Sequence, residues 1–287
     1  MIFPQSSMHI DVIVPTWNRP EMLAQALASV QAQTHAQWTC WIAEDGESPA
    51  TRRAVSPFLA DPRFVYLPGP HTGTPAGPRN RAVRQGTGAL VAFLDDDDVW
   101  RPDKLETQIR CLQAHPACVL VGGNAYRWRG EPIPSPLPLY FSKERRVARA
   151  IPYKDMVRRN YMITSSVVAR RSALAEAGLF SKAPGLKAGE DFELWLRLGA
   201  LGEIRRLAEP LLYYREMTNR FYPTLSPEDD YRYKAFVLGL TLVPGSPLDR
   251  AANQDKARLV REEIAYCLKG PRRWGRARHR LERMVGR

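Results

Sequence analysis

The sequence predicts an α/β protein in which helices flank a mostly parallel, open sheet, with a helical extension at the C-terminal end. Three observations predict this class. Short apolar runs alternate with helix-length segments over the first hundred residues, as in βαβ units. The 287 residues are 44% hydrophobic and 25% charged, which is enough to bury a core. From about residue 227 onward, the pattern indicates two or three helices.

The first half of the chain is predicted to contain five strands separated by helices. Pro20 stands in the first turn of the first helix, where its missing N–H leaves no bond unmade. The Gly/Pro-rich segment 68–78 is predicted to be a loop. The predicted strands are 9–14, 38–44, 63–67, 89–95 and 118–126, and the predicted helices are 20–34, 50–60, one from about Arg79, and 102–115.

The second half begins with a proline-rich segment, EPIPSPLPLY at 131–140, which excludes a regular helix or a central strand. We expect a surface loop or lid there. A strand is predicted at 162–170, followed by a short helix and a second helix at 190–201. A closing pair of strands, EIRRLA and LLYYR, is predicted to end the compact region near residue 216.

The net charge of +12 is unevenly distributed. Residues 269–287, here called the basic tail, contain eight Lys and Arg residues and one acid, so the tail carries +7 and the rest of the chain +5. A nucleic-acid-binding domain would be basic throughout, and no nucleic acid is expected as a partner. The tail is expected either to attach to an anionic membrane or to be a solvated helix face.

Cysteine content and hydropathy indicate where the protein works. Cys40, Cys111, Cys118 and Cys267 form no C-x-x-C pair, so reduced and mostly buried thiols are expected. No apolar run approaches the roughly 18–20 residues of a membrane-spanning helix. The N-terminal segment lacks the basic start and apolar stretch of a secretion signal. A cytoplasmic protein, peripheral on the inner face of the membrane if the tail attaches there, is predicted.

Four consecutive aspartates, Asp95–Asp98, follow the predicted strand 89–95. Adjacent carboxylates repel each other, and burial favours their protonation unless a cation is present. Hard oxygen ligands at one point suit Mg²⁺ or Mn²⁺, which bridge to phosphates. A solvated acidic turn is the alternative. The position beyond the carboxyl end of a strand favours a metal–phosphate site.

Other polar groups follow the first two predicted strands. VPTWNRP offers Thr16, Asn18 and Arg19 after Pro15 ends the strand, although a helix cap would use the same residue types. In IAEDG, Asp45 can accept hydrogen bonds from a base or a ribose, although Asp-Gly is also an ordinary turn.

Two helix starts carry further candidates. Arg79, in GPRNRAVRQGTG, suits bidentate phosphate contact beside Asn80, whereas Arg81 is expected to be a solvated charge. In GEDFELWLRLGAL, Asp191 heads the same helix face as Trp195. A carboxylate there is either a helix cap or a general base for a substrate hydroxyl.

Together, the motifs VPTWNRP, ED-G, PRN-x-A-x-x-x-G-x-G-x-x-x-A-F-L-D-D-D-D-x-W and GEDFELWLRL resemble the bacterial family-two nucleotide-sugar glycosyltransferases, which have the Rossmann-like GT-A fold. The resemblance covers about residues 8–216. It implies an inverting transferase of hexosyl or N-acetylhexosaminyl type, assisted by Mn²⁺ or Mg²⁺. The implied donor is a nucleotide sugar, with UDP preferred, and the implied acceptor is a hydroxyl of a glycan or a lipid-linked glycan.

The resemblance also implies a role for each matching residue. Asp45 would face the base, Asp97 would bind the metal directly, and Asp95 would face the ribose or the metal. Asp191 would take the proton of the acceptor hydroxyl, with Glu190 and Trp195 nearby. From position alone, acceptor contacts are expected from about 126–190, including Tyr161 and Thr164, and from Trp195. The donor-binding set is Pro15, Thr16, Asn18, Asp45, Arg79, Asn80, Asp95 and Asp96, with Asp98 assisting.

One motif departs from the family, and the resemblance implies domain limits. Many relatives place a metal-binding His after a Tyr-Arg pair, where LLYYREMTNR has Glu216. Either the metal binds more weakly or Glu216 substitutes for the His as a ligand.

The transferase domain implied by the resemblance would span 1–216, with a nucleotide-sugar half at about 8–125 and an acceptor half at about 126–216. A helical extension would span 217–287.

Two alternatives from other classes stay open. A sugar nucleotidyltransferase would share the sheet and acidic site, but it would need a Gly-rich, basic loop after the first strand, where this chain has VPTWNRP. A non-catalytic nucleotide-sugar or anionic-surface binding protein would keep the pocket without turnover. A nicotinamide-dependent enzyme is disfavoured because no G-x-G-x-x-G follows the first strand.

Overall fold

One curled sheet of nine strands forms the centre of the part of the chain that the structure, a computed structural model, describes. The described residues are 8–129, 138–141, 149–186, 188–216 and 227–269. The strands are β1 (Ile10–Thr16), β2 (Trp38–Glu44), β3 (Phe64–Leu67), β4 (Leu90–Phe93), β5 (Val99–Trp100), β6 (Cys118–Trp128), β7 (Arg149–Ala150), β8 (Val168–Arg170) and β9 (Glu203–Arg215).

The strand order is β3-β2-β1-β4-β8-β6-β9-β5, and β7 pairs with β9 near its start, at Arg205 and Arg206. Strands β1 to β4 are mutually parallel, as predicted, and β6 is parallel to β9. The strand β8 enters antiparallel between β4 and β6, and β5 and β7 are antiparallel to β9. The carboxyl ends of β1, β2 and β4 therefore lie at one edge of the sheet, where ligands bind in open α/β sheets.

Nine α-helices cover the two faces of the sheet and the C-terminal side of the described structure. The first begins at Pro20, as the sequence predicts. The helices are α1 (Pro20–Gln31), α2 (Pro49–Val55), α3 (Ala76–Gln85), α4 (Lys104–Ala114), α5 (Tyr153–Arg158), α6 (Arg171–Ala177), α7 (Glu190–Leu201), α8 (Pro227–Leu240) and α9 (Gln254–Leu268).

Two apolar cores lie on opposite faces of the sheet. Along β1, the side chains of Val12 and Val14 join one core and that of Ile13 joins the other, because successive residues of a strand point to opposite faces. Helices α1 and α4 contribute to the first core. The second core combines α3, α6 and α7 with residues of α8 and α9. The C-terminal helices therefore share a core with the sheet.

The predicted fold class is confirmed, with local corrections. The predicted helix 50–60 ends at Val55 and is followed by a 3₁₀ turn from Phe58, because Pro57 interrupts the helical bonds. The segment 162–170 contains a 3₁₀ turn, Thr164–Ser166, before the short β8. The predicted strand pair is instead one strand, β9, in which Pro210 occupies an irregularity of the β6–β9 register.

Several predicted segments lie wholly or partly outside the described residues. Residues 131–137 of the proline-rich segment and all of the basic tail except Lys269 are among them. Within the described part, no helix is both long and apolar enough to cross a membrane.

Candidate active site

The polar residues that follow β1 and β4 lie in direct contact at the sheet edge. The Thr16 hydroxyl donates to Asp96 Oδ2 at 2.8 Å. Arg19 Nη1 donates to Asp96 Oδ1 at 3.1 Å and to Asp97 Oδ2 at 2.8 Å. Between them, Asn18 has a φ of 55°, in the left-handed region that Asn tolerates better than most residues. The tight turn thus brings residues of VPTWNRP into contact with Asp95–Asp98, here called the acidic run.

The acidic run is crowded and largely buried. Burial and the charge of Asp97 raise the pKa of Asp96 to about 6. Burial raises the pKa of Asp97, and the charge of Asp95 adds to the rise. Burial, with Asp97 and Asp95 alongside, raises the pKa of Asp98 well above its usual value. Its Oδ1 accepts the N–H of Arg215 at 2.9 Å. Negative charge is therefore in excess here, which favours binding of a cation.

The donor set fits a divalent cation shared with a diphosphate. The side chains of Asp95 and Asp97 are 31% and 19% exposed, so both carboxylates are accessible to solvent. Among the described residues, no group of three or more His, Cys, Asp or Glu side chains forms a metal cage. Mg²⁺ is commonly held by one or two carboxylates together with phosphate oxygens and water, so two ligands from the protein are sufficient.

Glu216, the candidate for a third ligand, is paired with two arginines. Its side chain accepts hydrogen bonds from Arg127 Nε at 2.6 Å and Arg129 Nε at 3.4 Å. Its own N–H donates to the Trp128 carbonyl at 2.7 Å. A role as a metal ligand stays a prediction, and it would require Glu216 to leave these arginines.

Arg79 joins the acidic run to the N-terminus of α7. Its side chain is 4% exposed, and it donates to Asp95 Oδ1 at 2.5 Å and to Glu190 Oε1 at 2.8 Å. Burial by itself would lower the pKa of Arg79. The charges of Asp95, Glu190 and Asp191 outweigh burial and raise this pKa above its usual value. One guanidinium thus bonds to Asp95 and to Glu190, and the charge of Asp191 acts on it as well.

Asp191 is the second residue of α7, which begins at Glu190 after Gly189, whose φ is 83°. Asp191 Oδ2 accepts the hydroxyl of Thr164 at 2.9 Å, and Oδ1 accepts the N–H of Phe192 at 2.6 Å. Burial raises the pKa of the neighbouring Glu190, with Arg79 opposing the rise and Asp191 adding to it. The half-buried Asp191 therefore lies in the same charged cluster as Asp95.

Two predicted site residues are engaged elsewhere. The Asn80 amide donates to the Phe180 carbonyl at 2.8 Å and accepts the Phe180 N–H at 3.0 Å, so both of its polar atoms bind the main chain. The ring of Trp195 is fully buried against Phe93 and Phe180. It lies in the core rather than on the surface of the cleft, because its helix face packs on the sheet. Its contact with an acceptor was predicted from position alone.

A shallow cleft of about 480 Å³ lies beside Asp45 and is lined by residues 46–47 and 68–71. Asp45 is buried, and its carboxylate accepts the N–H groups of Thr72 and Gly73 at 2.7 and 2.9 Å. His71 Nδ1 lies 3.0 Å from Asp45 Oδ2. The His71 ring stacks on Trp17, with 5.1 Å between ring centroids.

Trp17 is the residue that the motif interpretation missed. Its side chain is 49% exposed, which is unusual for an aromatic residue, and it stands between Thr16 and Asn18 at the end of β1. The signal was present in VPTWNRP as an apolar residue within a polar turn.

Arg81 differs from the prediction that it is solvated. It is half-buried and donates to the Glu44 and Leu67 carbonyls at 2.5 and 3.3 Å. It fits there because Gly69 has no side chain to obstruct it.

Comparison with known proteins identifies relatives of this architecture. Residues 11–174 match the family described as Glycosyl transferase family 2. A β-1,3-glucosyltransferase, WfgD of Escherichia coli, is 36% identical over 103 residues, which are 36% of this chain and 40% of WfgD. The putative colanic acid glycosyl transferase WcaA of E. coli K12 is 28% identical over 192 residues, 66% of this chain and 65% of WcaA. The chain thus spans less than two thirds of the length of both relatives.

Solved structures share the fold. S. aureus TarS residues 1–349 superimpose with a TM-score of 0.68 at 19% identity, covering 94% of this chain and 73% of that one. Its complex with UDP-GlcNAc gives a TM-score of 0.69 at 20% identity, covering 90% and 72%. The mannosyltransferase PcManGT of Pyrobaculum calidifontis, solved with GDP-Man and Mn²⁺, gives 0.60 at 16% identity, covering 93% and 76%. These matches confirm the predicted GT-A fold.

Proposed function

The chain belongs to glycosyl transferase family 2, and from that premise we propose that it is an inverting glycosyltransferase. It moves a hexosyl or N-acetylhexosaminyl group from a nucleoside diphosphate to a hydroxyl of an acceptor. The observation that carries this proposal is the buried Arg79, which bonds to Asp95 and to Glu190. Through this guanidinium, the carboxylates on the donor side and Asp191 belong to one cluster, as a single transfer site requires.

The donor is a UDP-sugar. TarS has been solved in complex with UDP and with UDP-GlcNAc, and WfgD is named as a transferase that uses UDP-Glc. In this chain, the exposed Trp17 ring can stack on a base, and the cleft beside Asp45 has room for it. Pro15, Thr16 and Asn18 form the adjoining turn.

Asp191 is the general base. As the acceptor oxygen attacks the anomeric carbon, Asp191 takes its proton, and the bond to the UDP oxygen breaks on the opposite face. The sugar passes through an oxocarbenium-like state and its configuration inverts. Asp97 and Asp95 would hold Mn²⁺ or Mg²⁺, which supplies positive charge to the leaving diphosphate. Thr164 holds Asp191 in place by its hydrogen bond to Oδ2.

The acceptor is a glycan hydroxyl, most simply on a lipid-linked glycan. The name of WfgD describes transfer to a GlcNAc-diphosphoundecaprenol. At the end of α9, Tyr266 and Leu268 are exposed, and the basic tail follows directly. We infer a cytoplasmic protein that contacts the anionic inner face of the membrane through this tail. In this proposal, residues 1–216 form the transferase domain and 217–287 the extension.

A nucleotide-sugar panel tests the transfer proposal. The melting temperature of the purified chain is measured with UDP or GDP in the presence of Mn²⁺ or Mg²⁺. In a separate assay, donor hydrolysis is measured for UDP- and GDP-sugars. We expect UDP with Mn²⁺ to raise the melting temperature, because a ligand that binds only the folded state stabilises it. Asp191→Asn is expected to keep UDP binding while hydrolysis falls by about 10²–10⁴-fold.

The controls separate the alternatives. Asp255→Asn removes a carboxylate on α9 that is 95% exposed and paired with Arg258, and it is expected to behave as wild type. Binding of UDP without hydrolysis of any sugar nucleotide would support a non-catalytic binding protein. Full activity of Asp191→Asn would contradict the assigned base. Unchanged co-sedimentation of a chain lacking 270–287 with anionic liposomes would contradict membrane contact through the tail.

A further inference from the structure

The 3₁₀ turn Thr164–Ser166, here called the TSS turn, lies between the acidic run and the first turn of α7. Thr164 is 7% exposed, and Ser165 and Ser166 are fully buried. Three consecutive hydroxyl side chains in the interior are unusual, because a buried hydroxyl needs a hydrogen-bond partner to offset the loss of water. The partners of the first two are at the proposed transfer site.

Ser165 contacts the acidic run at its first residue, Asp95, and contacts Trp100, which lies two residues after its last aspartate. Its hydroxyl accepts the main-chain N–H of Asp95 at 3.0 Å, and its carbonyl accepts Nε1 of Trp100 at 2.7 Å. The residues between these two contacts are the remaining three aspartates and Val99. A shift of Ser165 would therefore move the start and the end of the run together.

Thr164 holds the general base. Its hydroxyl donates to Asp191 Oδ2 at 2.9 Å, while Asp191 Oδ1 accepts the N–H of Phe192 at 2.6 Å. With one donor on each oxygen, the rotation of this carboxylate is fixed. Because Thr164 and Ser165 are adjacent, the base and the acidic run are attached to neighbouring residues of one turn.

The TSS turn is itself anchored. Gln108 of α4 donates to the Ser166 carbonyl at 2.7 Å and to the Val121 carbonyl at 2.9 Å. The amide oxygen of Gln108 accepts a hydrogen bond from the Nζ atom of the fully buried Lys104 at 2.7 Å. The N–H of Phe93 donates to the Val167 carbonyl at 3.2 Å. Hydrogen bonds thus connect the turn and the residue after it to α4, β4 and β6, and such a network restricts the movement of the turn.

We propose that Thr164 and Ser165 are positioning residues that set the distance between the donor-binding carboxylates and the base. The proposal rests on the transfer function proposed above. Thr164 orients Asp191 toward the acceptor hydroxyl, and Ser165 holds Asp95 and the following carboxylates against the donor. Neither hydroxyl touches substrate. Catalysis depends on both because misplacement of a reacting group by about 1 Å can slow a reaction by about 10²-fold.

Four variants test the proposal, with the sugar nucleotide that the wild type hydrolyses in the panel as donor. Thr164→Val removes the hydroxyl but keeps the shape, and Thr164→Ser restores the hydroxyl. We expect kcat of Thr164→Val to fall by about 10-fold or more while the Kd of UDP with Mn²⁺ changes by less than about twofold. Thr164→Ser is expected to recover most of the activity, which a purely structural role of the threonine methyl would not allow.

Ser165→Ala tests the other contact, and Ser166→Ala is its matched control, because the Ser166 hydroxyl donates to the carbonyl of Ile163, directly before the turn, at 2.7 Å. We expect Ser165→Ala to weaken UDP binding with Mn²⁺ by about fivefold, the equivalent of one hydrogen bond. Amide hydrogen exchange is expected to speed up at 94–97 in Ser165→Ala and at 190–193 in Thr164→Val. Ser166→Ala is expected to match the wild type in both measurements.

The outcomes separate this proposal from the proposed function. A wild type that hydrolyses sugar nucleotides, with Thr164→Val equally active or Ser165→Ala unchanged in UDP affinity and exchange, overturns the positioning role alone. A wild type without turnover overturns the transfer function. Amide hydrogen exchange at 94–97 and 190–193 in the variants then decides whether the TSS turn positions the acidic run and Asp191. If Thr164→Val does not fold, Thr164→Ala replaces it in each measurement.

Discussion

Aspartates at the two ends of β1 lie in opposite electrostatic surroundings. At the amino end, Asp11 is buried and fully paired. Its carboxylate accepts Nε1 of Trp41 at 2.8 Å, the N–H of Gly88 at 2.6 Å and Nη2 of Arg171 at 2.5 Å. One carboxylate there has a cation and two further donors.

At the carboxyl end, cations are shared. Arg19 serves both Asp96 and Asp97, and Arg79 serves both Asp95 and Glu190. The charge of Asp11 is therefore neutralised within the protein, whereas the group of Asp95–Asp98 and Glu190 keeps a surplus of negative charge over Arg19 and Arg79. Such a surplus is unfavourable for folding, and it is useful where a cation and its ligand bind. The difference separates residues that stabilise the fold from residues that serve the reaction.

The largest effect is expected when a carboxylate is removed from the crowded end. Asp97→Ala should lower kcat/KM for the hydrolysed donor by about 10²-fold or more, because stabilisation of charge on the leaving diphosphate is lost. Its melting temperature without ligand should be equal to or above that of the wild type, because repulsion with Asp95 is relieved. Steady-state kinetics and calorimetry measure the two quantities. A less stable Asp97→Ala protein would contradict the contrast between the ends.

Removal of the paired carboxylate should give the opposite result. Asp11→Asn removes the negative charge beside Arg171 and leaves one amide oxygen for the three donors that the carboxylate binds, while Arg171 keeps the Gly88 and Val83 carbonyls. Breaking a largely buried ion pair is expected to lower the free energy of unfolding by about 2–4 kcal/mol. The folded fraction should bind UDP with Mn²⁺ as the wild type does. Urea unfolding gives the stability, with Asp255→Asn as the exposed control, and a loss of UDP affinity without a loss of stability would refute the prediction.

A smaller loss is expected from crowding of the Asp11 site. A Cβ on Gly86 would lie 2.3 Å from Asp11 Oδ2 and 2.9 Å from Arg171 Nη2. Gly86→Ala must displace this pair, and we expect a loss of about 1–3 kcal/mol. Gly239→Ala in α8 is the matched control, because nothing lies within 4 Å of its added Cβ and alanine favours a helix. Equal stability of the two variants would show that the ion pair can move freely.

The position of the acidic end could be predicted because it depends on local patterns. Alternating apolar runs locate the strands, and Asp95–Asp98 follow one of them, so their place at the sheet edge follows from parallel topology. The contacts of Asp191 and Asp95 with the TSS turn could not be predicted, since 162–170 read as one strand. Hydroxyl residues in a strand give no signal of a 3₁₀ turn.

Long-range pairs were out of reach for another reason. Asp11 and Arg171 are 160 residues apart, and neither stands in a motif. Trp195 and Asn80 show the same limit within motifs: both stand where helix periodicity permits contact with the cleft, but packing turns Trp195 into the core. One sequence gives the face of a helix on which a residue lies, and tertiary packing decides what that face meets.

The smallest expected effect is a pH dependence at the crowded end. Burial and Asp97 raise the pKa of Asp96 from 3.8 to about 6, so between these values the folded protein holds a proton that the unfolded chain has released. Stability from this group is therefore greatest below about pH 4 and is lost as the pH rises through 6. Asp96→Asn cannot titrate. Relative to the wild type, it should gain about 1 kcal/mol between pH 5 and 7.5 in urea unfolding with chelator present. Stability curves that stay parallel over this range would mean that Arg19 and Thr16 already neutralise Asp96 as completely as Arg171 neutralises Asp11.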